Sequence, residues 1–371
     1  AGGTPHKSHA EYYVGGTIPW LKSGEVCKKY ITATESYITE LGLKNSSAKY
    51  YPQNTVVVAM YGATAAQVGI LKFETTSNQA VCGLLPNGKF LPEFVYYYFT
   101  NIKEDLAAQA QGGAQPNLSQ VKIKKVLLPI LSLSDQQRIV SYLDAEFAKI
   151  EALKANAEKQ LQAAKDLFQA ALKELLTPKE GWKIVNIGDV FKSYSGGTPN
   201  KSHKEYYNNA TIPWLNSGEV CQKYITSTSN YISELGLKNS SAKFFPVNTV
   251  LIAMYGATAA QAGILKFEAT SNQAICGLLP TKEILPEFVY YWFLYNKTEF
   301  ASMAQGGAQP NLSQIKIKAM PIPKINLNQQ KIICDKLEKL DEHVKALQTN
   351  YTETITLCND LKQALLKKVF E

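Results

Sequence analysis

Between residues 55 and 99 the apolar positions fall first in short β-branched runs and then at helical spacing. Thr55–Tyr61 is an apolar run that stops at Gly62, the pattern of a buried strand. Gly69–Phe73 and Ala80–Leu85 read as two further strands separated by a Ser-Asn turn. Pro92 has the fixed φ that suits a first helical turn, which predicts a helix from Pro92 to Phe99. Gly112-Gly113 is expected to close a following helix and open the loop that carries Gln115 and Asn117. The pattern then changes. Residues 135–176 contain no Gly or Pro, and Val140, Leu143, Phe147, Ile150, Ala157, Leu161, Ala164, Phe168, Ala171 and Leu175 recur in steps of three and four, with Lys154 the polar member. Ile333, Leu337, Leu340, Val344, Leu347, Tyr351, Cys358, Leu361 and Leu365 repeat that spacing around a polar Thr354. Sustained a/d spacing predicts two coiled-coil helices, each roughly 60 Å long. Two such helices linked through a globular domain are expected to pack antiparallel. The plainer alternative is a pair of unrelated amphipathic helices, each capping its own domain.

The chain contains itself twice. Gly2-Gly-Thr-Pro recurs at Gly196, an offset of 194 (196 minus 2) that holds without a gap through Gln111–Gln120 and Gln305–Gln314. TIPWL at Thr17, SGEVC at Ser23, GLKNSSAK at Gly42 and AMYGATAAQ at Ala59 all return at that offset. A period this long excludes solenoids, whose units run about 20–50 residues. It predicts an α+β architecture of two tandem-duplicated globular domains with two long antiparallel coiled-coil helices and pseudo-two-fold symmetry. The expected boundaries are 1–134 for the first globular domain, 135–178 for the first helix, 179–327 for the second domain and 328–371 for the second helix. Trp182–Ser195 leads into the second copy, and about fifteen residues of the same kind are expected ahead of the first.

Composition adds limits. Hydrophobic residues make up 45% of the 371, enough for cores, and 19% are charged, which argues against wholesale disorder. No apolar run reaches the ~20 residues of a membrane helix, and no charged-then-apolar opening suggests export. The formal charge of +8 suits a phosphate-bearing partner or simple solubility. Cys27, Cys82, Cys221, Cys276, Cys334 and Cys358 form no C-x-x-C pair, so they read as buried thiols in a reducing, cytoplasmic setting.

Catalytic grammar is missing. There is no N-P-P-[FY] or D-P-P-[FY] for amino methylation, no phosphate loop ending in Lys-Ser/Thr, no nuclease-type acid and lysine pair, and no metal-ligand spacing. The loops instead carry amides, hydroxyls, lysines and aromatics. Asn and Gln amides can read adenine, while Lys, Ser and backbone N–H groups suit phosphates. On that chemistry the first copy's candidates are Lys7, Ser8, His9, Lys22, Ser23, Lys44, Asn45, Ser46, Lys49, Tyr61, Thr64, Gln67, Gln115 and Asn117. The second copy's are Lys201, Ser202, His203, Asn216, Ser217, Lys238, Asn239, Ser240, Lys243, Tyr255, Thr258, Gln261, Gln309 and Asn311. Lys44, Lys49, Lys238 and Lys243 are the phosphate candidates. Asn78 and Asn117 fit a turn as well as a contact, Tyr12-Tyr13 a core edge, and Trp20 and the cysteine pairs 27/221 and 82/276 the core.

The order GGTP…IPW…SGE…MYGAT…SNQA…QPNLS…LP, followed by Gln136-Gln137-Arg138-Ile139 or Gln329-Gln330-Lys331-Ile332 and a long helix, resembles the specificity subunit of type I restriction–modification enzymes. The resemblance spans nearly the whole chain. It implies a non-catalytic subunit whose two target-recognition domains each read one half of a split site on double-stranded DNA. It also implies that the helices set the unread spacer and help dock two methyltransferase (modification) subunits, and that restriction/translocase subunits complete the enzyme. S-adenosylmethionine is expected in the partner methyltransferase, with no cofactor in this chain. Here the two copies are far more alike than the family's recognition domains usually are, so near-identical half-sites in inverted order are expected, with Lys22/Asn216, Lys28/Gln222 and Gly15/Asn209 as differences in contact loops. Two alternatives stay open: the recognition subunit of another modification or phage-exclusion system, and a coiled-coil scaffold that binds protein or carbohydrate.

Overall fold

The structure, a computed structural model, describes residues 1–109, 118–303 and 312–371. Gln115, Asn117, Gln309, Asn311 and the Gly112-Gly113 helix end lie outside the described residues. Two compact units form, Ala1–Lys159 with Thr352–Glu371, and Gln160–Tyr351.

In the first unit the centre is a four-stranded sheet in the order Tyr30–Ile31, Val68–Leu71, Val56–Ala59, Val81–Leu84. All of Val56–Ala59 is buried because both sheet faces are covered. Val56, Val58 and Met60 face a core shared with Val95 and Phe99 of the helix Pro92–Asn101. Val57 and Ala59 face the opposite core with Leu21, Val26 and Leu71. Two-sided burial explains why the run is apolar throughout rather than alternating. Val57 sits opposite Gly69 and Gly83. Gly83 cannot carry a side chain because the Tyr51 ring lies on it, as the Phe245 ring lies on its twin Gly277. A second, three-stranded sheet orders Tyr37–Ile38, Ile18–Leu21 and Thr76–Ser77, and buries Ile18, Trp20 and Ile38 around Ala48.

The Gln-Gln pair that opens each long helix has a structural cause. Gln136 is fully buried, accepts from the Leu91 amide at 2.8 Å, and donates to the Lys89 and Leu131 carbonyls at 2.9 and 3.0 Å. Gln330 repeats this with Leu285, Glu283 and Ile325. Each glutamine thereby ties the start of its helix, Leu133–Leu176 or Leu327–Phe370, to the loop ahead of the helix that begins at Pro92 or Pro286.

Within each unit a stretch of one long helix packs antiparallel on a stretch of the other. In the first, Val140 and Leu143 bury with Leu366 against Phe94 and Tyr97. Glu151 pairs with Lys362, Lys154 Nζ donates to Asn359 Oδ1 at 3.2 Å, and Gln363 Nε2 donates to the Asn101 carbonyl at 3.0 Å. In the second, Ala164, Phe168, Leu172 and Leu176 share one core with Ile333, Leu337 and Val344.

The second unit repeats the first and adds to it. Lys183–Asn186 pairs antiparallel with Pro321–Lys324, and Ser193–Ser195 extends the central sheet to five strands. Ile187 and Phe191 then lie in the core beside Val250, Leu278, Val289 and Phe293. At the matching place in the first unit, Val56, Leu84, Val95 and Phe99 line an open groove of about 330 Å³.

Three expectations are corrected. Cys27 and Cys221 are exposed, because each follows the 3-10 turn Ser23–Glu25 or Ser217–Glu219 onto the surface; the four other thiols are buried. Burial pushes the Cys276 thiol up to about 12, so it is inert. The buried stripe of the first helix ends on Leu172 and Leu176 rather than Ala171 and Leu175, the drift expected when a 3.6-residue helix is read at 3.5. Leu347 and Leu361 are exposed although their spacing places them on the seam.

Candidate nucleic-acid interface

Close backbone packing gathers the polar loops at one edge of the small sheet. Gly2 donates to the Val81 carbonyl at 3.1 Å and Gly3 to the Ser77 carbonyl at 2.9 Å. A side chain at Gly2 would run into Ser77 and Asn78, and one at Gly3 into Ser47 and Ala48, so the GGTP motif is what lets three loops meet. Gly196 and Gly197 meet the same neighbours in the second unit. Trp20 closes the arrangement from below: it is buried, and its indole N–H donates to the Gly3 carbonyl at 3.0 Å. Tyr13 Oη donates to the Pro5 carbonyl at 2.5 Å.

Above Trp20 lies a cleft of about 610 Å³ whose walls include Lys7, Lys22, Ser36, Tyr37, Asn78 and Gln79. Lys22 and Ser36 also border an adjoining cleft of about 580 Å³ that includes Lys28. Lys7, Lys22 and Lys28 are exposed. A cationic rim over an aromatic floor with two carboxamides is chemically suited to phosphate and base edges together. Of the candidates, Lys7 and Lys22 are brought together here. Asn78, which fits a turn as well as a contact, lines the same cleft, as do Tyr37 and Gln79, which were not among the candidates. The signal that would have found them is the pairing of Gly2 and Gly3 with Ser77, which no local pattern reveals.

The other candidates have other geometry. Lys44 and Lys49 are exposed beside the helix Glu40–Lys44, but Asn45 Nδ2 donates to the Leu41 carbonyl at 2.9 Å and Ser46 Oγ to the Leu43 carbonyl at 3.2 Å, so both side chains cap that helix. Asn239 and Ser240 do the same beside Lys238, while Lys243 lies over the Tyr194 ring at 5.7 Å. Ser8 Oγ is 2.7 Å from His6 Nδ1, and Ser202 donates to Asn200 Oδ1 at 2.9 Å. His9 pairs with Glu11 and stacks on Tyr12, as His203 pairs with Glu205 and stacks on Tyr206. Ser23 and Ser217 begin the 3-10 turns next to Lys22 and Asn216. Tyr61 and Tyr255 rest against the sheet–helix cores, and Thr64 and Thr258 donate to their carbonyls at 3.3 and 3.2 Å. These four sit in a turn whose Ala66 and Ala260 hold φ of +65°. Gln67 and Gln261 follow, half-buried, and Gln261 Oε1 has no hydrogen-bond partner among the described residues.

Each recognition fold is clamped to a long helix by a lysine. Lys223 donates to Glu338 Oε1 at 2.6 Å and to Tyr291 Oη at 3.1 Å. Burial alone would lower this ammonium, but the hydrogen bonds to Glu338 and Tyr291 outweigh it and hold it above its ordinary value. Lys29 makes the same links to Asp144 and Tyr97. Among the described residues no cluster of His, Cys, Asp or Glu could hold a metal, and no helix is long and apolar enough to cross a membrane.

The family described as type I restriction modification DNA specificity domain matches residues 1–163 and again residues 179–357. The specificity subunit of the type I restriction enzyme EcoR124I/EcoR124II of Escherichia coli is 26% identical over 380 residues, covering 92% of this chain and 91% of that protein. The MjaIX specificity subunit of Methanocaldococcus jannaschii is 25% identical over 398 residues, covering 100% and 89%. Among solved structures, a chain from work on complex assembly and conformational transition of the type I R-M system aligns with a TM-score of 0.80 at 19% identity, covering 95% of this chain and 91% of that one. The HsdS subunit of Thermoanaerobacter tengcongensis aligns at 0.59 and 17% identity, covering 95% and 90%. At such identities these two structures speak for the fold. With both of its copies matched, this chain belongs to the type I restriction modification DNA specificity family.

Proposed function

We propose that this chain is the non-catalytic, sequence-reading subunit of a cytoplasmic type I restriction–modification enzyme. Each globular domain reads one half of a bipartite site on double-stranded DNA. The helices set the spacer and dock two methyltransferase subunits, which carry S-adenosylmethionine, while restriction/translocase subunits supply cleavage. The observation that carries this reading is the duplication of one polar loop cluster, rimmed by Lys7, Lys22 and Lys28 in the first copy, with each copy clamped to a long helix through Lys29 or Lys223. A rigid link between reader and helix is what a spacer-measuring device requires. Candidate contacts are Lys7, Lys22, Lys44 and Lys49 and their counterparts Lys201, Asn216, Lys238 and Lys243.

Selection from a library of duplexes randomised in two blocks, using the full chain with its own modification subunits, tests the reading. Two short half-sites at fixed separation are expected, with affinity falling steeply against log[salt]. Binding that ignores salt and selects no sequence would refute it and favour the protein- or carbohydrate-binding scaffold. Insertion of seven residues after both Ala157 and Ile355 lengthens the paired helices by about 10 Å, and the preferred spacer should grow by about three base pairs. An unchanged spacer would remove the measuring role.

A further inference from the structure

The duplication sets up a comparison inside one chain. Every residue that walls the cleft above Trp20 has an identical counterpart in the second copy, except Lys22, which becomes Asn216, and Ser36, which becomes Asn230. Those two positions also form the wall shared with the adjoining cleft. In the cleft above Trp20 the divergence is therefore confined to one spot, while the adjoining cleft also differs at Lys28, Ala33 and Glu35, which become Gln222, Ser227 and Ser229.

The two solutions differ chemically. In the first unit the Lys22 ammonium lies 5.6 Å from the Trp20 ring centroid. Asn78 Oδ1 accepts from the Ala80 amide at 3.2 Å, and its NH₂ group has no protein partner among the described residues. In the second unit Asn272 Nδ2 donates to Asn216 Oδ1 at 3.2 Å. Asn230 Nδ2 donates to Glu219 Oε2 at 3.1 Å, a link that Ser36 does not make with Glu25. One cleft thus presents the Lys22 ammonium and the Asn78 NH₂ group beside the Ser36 hydroxyl. The other presents the Asn216 carboxamide, held at its Oδ1 by Asn272, which offers both a donor and an acceptor.

Base edges sort on that difference. Guanine shows two acceptors, O6 and N7, in the major groove and suits an ammonium. Adenine shows an acceptor, N7, beside a donor, N6–H₂, and suits an asparagine amide. We propose that Lys22 and Asn216 are the specificity-determining pair of this chain. The half-site read by the first unit carries guanine at the position where the half-site read by the second carries adenine. The proposal rests on the DNA-reading function above.

Selection with the full chain and its modification subunits tests it in three forms of the protein. Wild type should return two inverted half-sites with guanine in one against adenine in the other at the position these residues read. The K22N/S36N double variant, which installs residues the same fold already carries, should return two adenine half-sites. N216K should return two guanine half-sites, so failure of one variant to fold does not leave the idea untested. Discrimination at that position should change by between about fivefold and about a hundredfold, the range for one side chain on a base edge. Identical half-sites for wild type would overturn the proposal, as would half-sites unchanged in both variants while salt-sensitive binding persists. Loss of all sequence selection by wild type would instead overturn the DNA-reading function itself.

Discussion

Replacing Lys223 with Met isolates the link between a recognition fold and its helix. The Lys223 side chain is 7% exposed and bridges Tyr291 and Glu338. Breaking a fully buried ion pair costs about 3–5 kcal/mol. Glu338 is 37% exposed, so water recovers part of its solvation, and Tyr224 Oη still donates to it at 3.1 Å. The expected loss is therefore about 2 kcal/mol. The twin substitution K29M removes the same chemistry from a wetter place, since Lys29 is 21% and Asp144 44% exposed. There the loss should be about 1 kcal/mol or less. Hydrogen exchange read by mass spectrometry resolves the two units in one sample, comparing amides of Phe288–Phe293 with those of Phe94–Phe99. K29M costing as much as K223M would refute the argument from burial. Acidity gives a second reading. Burial pushes the Glu338 carboxyl up, but hydrogen bonds from Lys223 and Tyr224 prevail and hold it below its ordinary value. A lowered carboxylate stabilises the fold above its unfolded pKa and loses that contribution as pH falls through the native one. Lys223, held above its ordinary value, contributes in full below that value and fails only as pH rises through the raised one. The clamp is thus complete from about pH 5 to about pH 10, and K223M should lose less stability than wild type below about pH 4.

Other substitutions test separate parts of the argument. Q330A strands the Leu285 amide and the Glu283 and Ile325 carbonyls, and chemical denaturation should show a loss of about 2–4 kcal/mol; a neutral result would mean that water replaces the amide. G277A drives a methyl group into the Phe245 ring and should cost about 1–3 kcal/mol, rescued in part by F245L; no rescue would place the strain elsewhere. K44A/K49A should reduce the slope of log affinity against log[salt] by about 2 without changing the selected half-site, whereas a changed site would make these lysines base readers.

Much of the fold can be read from the chain because its signals are local. The Val56–Ala59 strand, the helix opened by Pro92 and both long helices follow from runs and spacing in single segments. What escaped depends on partners far away in sequence. Cys27 and Cys82 look alike as residues, yet one follows a surface turn and the other lies buried in the strand Val81–Leu84. Asn45 and Ser46 resemble contact residues because the same amide and hydroxyl groups that would meet DNA also cap helices. The cleft above Trp20 forms only when Gly2 and Gly3 dock on Ser77, so Tyr37, Asn78 and Gln79 could not be assigned to it from spacing. The duplication, by contrast, was fully legible, and it alone makes Lys22 and Asn216 a controlled comparison.

The way the long helices are shared between units also sets an order of assembly during synthesis. Gln160–Tyr351 is contiguous and emerges from the ribosome complete. Ala1–Lys159 emerges earlier but lacks Thr352–Glu371, the stretch whose Leu366 covers Phe94, Tyr97, Val140 and Leu143. At ordinary translation rates the first-made unit waits about 10–40 s for its last piece, with that apolar surface uncovered. Of the two units, the one begun first is therefore finished last, and truncation before Thr352 should expose Ala1–Lys159 to proteases while sparing Gln160–Tyr351.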